Sequence, residues 1–162
     1  WADYLKEQPF VNGDKIGVEG FSFGGTMTAM LLFTSPESFH YGIAGGGVYD
    51  WHLYDTHYTE RFMSTPEDNP EGYEDACALR YAASYPVEAG KEDGKVMLKI
   101  THGTGDDNVH FQNTLQLVDA LQRAGKQFEL MVYPDGMHGY RGAQREHSWE
   151  SDKLFWLKYL KN

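Results

Sequence analysis

The chain has 162 residues, 41% of them hydrophobic and 23% charged, with 14 Lys+Arg against 24 Asp+Glu for a formal net charge of −10. This balance excludes a disordered or collagen-like chain, and no apolar run approaches the roughly 20 residues of a membrane span. No basic footprint for a nucleic-acid backbone is visible, so nucleic acid is not an expected partner, and the single cysteine, Cys77, excludes an internal disulfide framework.

Residues 2–8 read as the end of a helix, broken by Pro9 and the turn Asn12-Gly13-Asp14. Residues 15–18 form a short strand leading into Gly20-Phe21-Ser22-Phe23-Gly24-Gly25. Residues 26–33 are apolar nearly all round, which predicts a buried helix. A strand over 41–44 ends at Gly45-Gly46-Gly47. Residues 48–73 are aromatic and turn-rich without clean periodicity; an irregular segment of that length in a domain is often functional. A helix over 74–84, a polar loop over 88–94 and a strong strand over 95–101 follow. Residues 111–124 form an amphipathic helix with Leu115, Val118 and Leu121 on one face and Gly125 as its stop. A strand over 127–133 and a helix over 144–160 complete the chain. Strands alternating with helices argue for an α/β fold of about four mostly parallel strands.

Gly20-Phe21-Ser22-Phe23-Gly24 matches G-x-S-x-G. In that turn a strand passes sharply into a helix, and the glycines two before and two after the serine allow the close approach. The Ser22 hydroxyl is lifted clear of the sheet, and the Phe23 backbone N–H is aimed at a developing oxyanion at the positive end of the helix. The pattern also occurs as a glycine-rich turn with an idle serine. A strand before it and a buried helix after it favour the catalytic reading.

A serine needs a base, and the base an orienting carboxylate. Two strands run into loops bearing such groups: His102-Gly103-Thr104-Gly105-Asp106-Asp107-Asn108-Val109-His110 and Pro134-Asp135-Gly136-Met137-His138-Gly139. Open α/β sheets place their sites at these strand ends. Asp106 and His138 follow Ser22 in the order serine, acid, histidine. Asp106 or Asp107 would otherwise cap a turn, and His102 reads as a buried hydrogen-bonding residue. His102, Asp106, Asp107 and His110 also cluster as metal-ligating types, but without the H-E-x-x-H or paired C-x-x-C spacing of zinc sites. No metal or cofactor is expected.

The runs Gly20-Phe21-Ser22-Phe23-Gly24-Gly25, Tyr58-Thr59-Glu60-Arg61-Phe62, Asp106-Asp107-Asn108-Val109-His110-Phe111-Gln112 and His138-Gly139 resemble the dipeptidyl peptidase IV branch of the prolyl oligopeptidase family, over essentially the whole chain. The resemblance implies Ser22 as nucleophile, Asp106 as triad acid and His138 as base. It implies that Asn108 holds a substrate carbonyl near the peptide's N-terminus. Val48, Trp51, Tyr54, Tyr58 and Val109 then wall a pocket for a penultimate proline, with Arg61 and Phe62 on the same stretch in lower-ranked roles. The implied reaction is release of N-terminal X-Pro dipeptides, and less well X-Ala, through an acyl-enzyme. A flat apolar proline ring suits aromatic and valine walls. Apolar contacts discriminate only about 10- to 200-fold per methylene, so alanine would be accepted poorly rather than refused.

Departures from the family pattern are Phe62 in place of a tyrosine, and Tyr41 where animal relatives carry a disulfide cysteine. The latter leans toward a bacterial-type protein of the periplasm or cell envelope. The resemblance further implies that residues 1–162 are the C-terminal half of an α/β-hydrolase domain. The first half of the sheet and a β-propeller would then lie outside this sequence, and the chain alone would be weakly active or inactive. It implies a homodimer for a full-length protein, and a bare sheet edge that self-associates in the fragment. Alternatives are a tripeptidyl-releasing peptidase or carboxylesterase of the same fold, and a non-catalytic peptide-binding or self-associating module.

Overall fold

The computed structural model describes residues 1–86 and 96–161. The polar loop expected over 88–94 and the first residue of the strand expected over 95–101 lie outside the described residues. In chain order the elements are α1 (Ala2–Lys6), β1 (Gly17–Phe21), α2 (Phe23–Thr34), β2 (Tyr41–Gly45), α3 (Thr56–Met63), α4 (Pro70–Asp75), β3 (Met97–Gly103), α5 (Gln112–Arg123), β4 (Glu129–Tyr133) and α6 (Gly142–Leu160). Two 3-10 turns, Trp51–Leu53 and Ala78–Ser84, flank α3 and α4.

The four strands form one sheet in the order β1-β2-β3-β4, and every neighbouring pair is parallel. The expected parallel α/β sheet is therefore present. Its central strands are covered on both faces, so they read as nearly continuous apolar runs. On one face, Ala44, Leu98 and Ile100 pack with Ala29, Leu32 and Phe33 of α2 and Leu117 and Leu121 of α5. On the other, Tyr41, Ile43 and Met97 pack against Phe155, with Trp156 and Tyr159 beside it. Lys99 falls on this second face and is buried. Its Nζ donates to Ser151 Oγ at 2.7 Å and to Asp152 Oδ1 at 2.8 Å.

Four expectations need correction. The first strand runs to Phe21 rather than stopping at Val18, because the residues of the turn are themselves paired, Gly20 with Ala44 and Phe21 with Gly45. Helix α2 buries only one side: Phe23 and Met27 are exposed on the other. In α5 the buried residues are Asn113, Thr114, Leu117 and Leu121, while Leu115 is exposed. Residues 48–73, expected to be irregular, carry α3, the start of α4 and a 3-10 turn. Asp55 caps α3 by accepting from Tyr58 N–H at 2.8 Å, and Asn69 caps α4 by accepting from Gly72 N–H, with Pro70 at the first helical position.

Because all strands point the same way, the ends of β1, β2, β3 and β4 open on one rim of the sheet. Ser22 follows β1, the Gly45-Gly46-Gly47 turn ends β2, the aspartate loop follows β3 and the histidine loop follows β4.

Candidate active site

The turn after β1 is built by steric exclusion. A Cβ on Gly20 would collide with the backbone of Gly24, and one on Gly25 with the carbonyl of Gly45. A Cβ on Gly24 would meet nothing. The close approach expected of both flanking glycines is thus demanded of Gly20, while Gly24 contributes only its backbone. Ser22 is held at φ 59° and ψ −122°, a conformation that side-chain-bearing residues rarely adopt and that stores about 1–3 kcal/mol. The Ser22 N–H donates to Gly45 O at 2.8 Å, pinning the turn to β2.

Ser22 Oγ lies 3.0 Å from His138 Nε2, and His138 Nδ1 lies 2.8 Å from Asp106 Oδ2. The other oxygen of Asp106 accepts from the N–H groups of Asn108 at 3.0 Å and Val109 at 2.9 Å. The carboxylate is buried and its sequence neighbour Asp107 is exposed. The loops carrying Asp106 and His138 are sewn together. Thr104 N–H donates to Tyr133 O, Gly105 N–H to Gly136 O, and Asp135 N–H to Thr104 Oγ1. Gly103 permits this contact, since a Cβ there would strike the backbone of Gly136.

His102 lies beneath, fully buried. Its Nε2 is 2.8 Å from Val109 O, an obligate acceptor, so that nitrogen carries the proton; Nδ1 accepts from the Thr114 hydroxyl at 2.7 Å. Burial holds the imidazole below its ordinary pKa, although the Val109 carbonyl and Asp106, 3.4 Å away, pull the other way. His110 and Asp107 point to solvent. Among the described residues no group of three or more His, Cys, Asp or Glu side chains is placed to hold a metal ion.

A small cavity of about 80 Å³ opens beside the serine, lined by Ser22, Phe23, Val48, Trp51, Tyr54 and Tyr58. Trp51 and Tyr58 stack at 6.2 Å, and Tyr54 meets both edge-on. The Tyr54 hydroxyl donates to Asn108 Oδ1 at 2.8 Å, which leaves the amide nitrogen of the exposed Asn108 outside that bond. Val109 does not line this cavity. It is fully buried behind it with Val48, Trp51 and Tyr73. Arg61 and Phe62 are also off the small cavity: the Arg61 guanidinium sits 3.4 Å from His57, and Phe62 lines a larger apolar cavity of about 400 Å³ that shares Phe23, Trp51 and Tyr58 as walls.

Two residues that sequence reasoning passed over hold this aromatic wall in place. Thr26 Oγ1 donates to Val48 O at 2.8 Å and accepts from Val48 N–H at 3.0 Å. Asn113 Oδ1 accepts from Tyr49 N–H at 3.0 Å and Asp50 N–H at 3.3 Å. Both are buried polar side chains inside apolar helical patterns, and a buried polar group demands a partner. That was the available signal.

Comparison with known proteins finds the prolyl oligopeptidase family matching residues 1–162. The chain is 43% identical over 140 residues to a probable dipeptidyl-aminopeptidase B of Talaromyces marneffei, covering 85% of this chain and 14% of that protein. It is 36% identical over 156 residues to mouse dipeptidyl peptidase 8, covering 96% of this chain and 17% of that protein. The crystal structure of Porphyromonas gingivalis dipeptidyl peptidase 4 superposes with a TM-score of 0.90 at 37% identity, over 98% of this chain and 22% of that one. The chain thus spans less than a quarter of the length of each of these relatives.

Proposed function

This chain belongs to the prolyl oligopeptidase family, and from that premise we propose that it carries the catalytic triad of a serine dipeptidyl peptidase, with Ser22 as nucleophile, His138 as general base and Asp106 as the orienting acid. The observation that carries the reading is the unbroken relay from Ser22 Oγ to His138 Nε2 at 3.0 Å and from His138 Nδ1 to Asp106 at 2.8 Å, on a serine held at positive φ. The names of the related proteins support the dipeptidyl peptidase assignment.

In this mechanism Ser22 Oγ bonds to the scissile carbonyl carbon while its proton passes to His138 Nε2. Asp106 holds the tautomer and stabilises the imidazolium. His102 lies beside it, its Nε2–H turned to Val109 O, and burial favours its neutral form. The carbonyl oxygen gains its charge facing the Phe23 N–H at the start of α2, where a helix leaves its donors unpaired. Collapse breaks the C–N bond, His138 returns the proton to the leaving amine, and water repeats the sequence to free the dipeptide. The cavity walled by Val48, Trp51, Tyr54 and Tyr58 is the proposed seat of a penultimate proline, which presents no N–H to satisfy. The Asn108 amide, oriented by Tyr54, donates to a substrate carbonyl.

A fluorophosphonate probe read by intact mass tests the triad. One adduct that Ser22→Ala abolishes is the expected result; adduct at another residue, or none, counts against an activated serine in this chain. Substrate class is read separately by comparing a Gly-Pro anilide with a short acyl ester. Ester turnover without anilide turnover by a full-length protein would favour a carboxylesterase. We also infer that the edge of β1, paired on one side only among the described residues, is where copies of this chain associate.

A further inference from the structure

A base on a loop with glycines at 136 and 139, the latter at φ 103°, needs an anchor on each side. Ahead of His138 the loop is held by backbone bonds to the aspartate loop. Behind it stands Tyr140. Its hydroxyl donates to Thr101 Oγ1 at 3.0 Å. Its ring lies 4.2 Å from the Tyr133 ring and meets Phe21 edge-on at 5.8 Å. Phe21 immediately precedes Ser22, and its ring is 5.1 Å from the His138 ring. Thr101 lies on β3, the strand that leads to Asp106. One side chain therefore touches the three strands that deliver Ser22, Asp106 and His138.

We propose that Tyr140 is a positioning residue for His138: fixed to Thr101 through its hydroxyl and wedged between Phe21 and Tyr133, it sets where the imidazole stands between Ser22 and Asp106. The inference rests on the triad reading above. A phenylalanine would fill the same space, so packing alone does not call for the hydroxyl. What the hydroxyl adds is a fixed distance from β3 to the residue two beyond the base. Burial pushes its pKa well up, so it remains a donor throughout the working range. The bond is thus present in every state of the reaction, while His138 gains and loses its proton.

The test uses the whole 162-residue chain and three variants: Tyr140→Phe, Thr101→Val and Thr101→Ser. The rate of Ser22 phosphonylation is resolved into probe affinity and the rate constant of the bonded step. Proton NMR follows the downfield His138 Nδ1–H, and urea unfolding follows stability. Tyr140→Phe and Thr101→Val are each expected to slow the bonded step about 10- to 100-fold, the cost of a misplacement near 1 Å, with probe affinity unchanged and the Nδ1–H signal shifted or broadened. Thr101→Ser, which keeps the hydroxyl, restores both. Wild-type rates and an unmoved Nδ1–H signal in Tyr140→Phe and Thr101→Val overturn the proposal, whatever happens to stability. If Tyr140→Phe does not fold, the Thr101 pair decides. If Ser22 takes no probe in the unmodified chain, the triad reading fails on its own, and the NMR comparison still decides whether Tyr140 places the ring.

Discussion

Asp106 and Asp107 are adjacent in sequence and opposite in fate. One is buried, with His138 on one oxygen and two backbone N–H groups on the other; the other faces water. Asp106→Asn is expected to slow phosphonylation of Ser22 by about 10⁴ because it presents the wrong hydrogen-bond pattern to the imidazole. Asp107→Asn is expected to leave the rate within a few-fold, and the reverse ranking would move the acid by one residue. From sequence alone the two differed only through the family resemblance, since nothing local in a D-D pair says which side chain turns inward. His102 gives a pH prediction. The folded protein depresses its pKa through burial, so below the ordinary value of about 6.5 the unfolded chain binds more protons than the folded one. The contribution is intact above that value and is lost as pH falls through the folded value. Urea midpoints at about pH 7.5 and 5.5 should therefore drop more for the unmodified chain than for His102→Gln. Equal drops would mean that other groups govern acid sensitivity.

At the scale of elements, the turn between β1 and α2 separates two glycines that the sequence presents as equivalent. Gly20→Ala is expected to destabilise by about 1–3 kcal/mol, since its methyl group meets backbone that cannot rotate away. Gly24→Ala, in helical backbone with open space around it, is expected to stabilise by about 0.4–1 kcal/mol. Chemical denaturation of both variants checks the pair, and similar losses would mean that the motif needs both positions for the same reason. The strands and long helices were legible because burial on two faces leaves apolar runs, and because Gly125 marks the stop of α5 at φ 69°. Helices α3 and α4 were not legible by periodicity. The side chains of α3 line cavities rather than a core stripe: Tyr58 and Phe62 are exposed and only Thr59 is buried. Their signal lay instead in the caps, Asp55 and the Asn69-Pro70 pair, which composition disguised as turn residues.

At the scale of the whole, β1 and β4 stand at the margins of the four-stranded parallel sheet, and among the described residues no strand pairs with the outer side of β1. Trp156 reaches Glu19 with its indole N–H at 3.0 Å, and its ring crowds Gly17, so one face of β1 is covered while its outer hydrogen-bonding edge pairs with no strand among the described residues. Light scattering of the chain is expected to show mass rising with concentration; a constant monomer mass at all concentrations would remove the association reading. The parallel α/β class and the number of strands were legible, because alternation of strand and helix argues for a parallel sheet. The reach of the site was less so, since Tyr140, Thr26 and Asn113 act across elements that no local pattern joins. The wide separation of its parts also sets a schedule. Ser22 and His138 stand 116 residues apart, and at about 5–20 residues per second a ribosome adds the second roughly 6–23 s after the first. On the proposed triad reading, the serine has its elbow but no base until β4 has docked beside β3. A newborn chain would then hold an unactivated Ser22 hydroxyl while β4 is still being made.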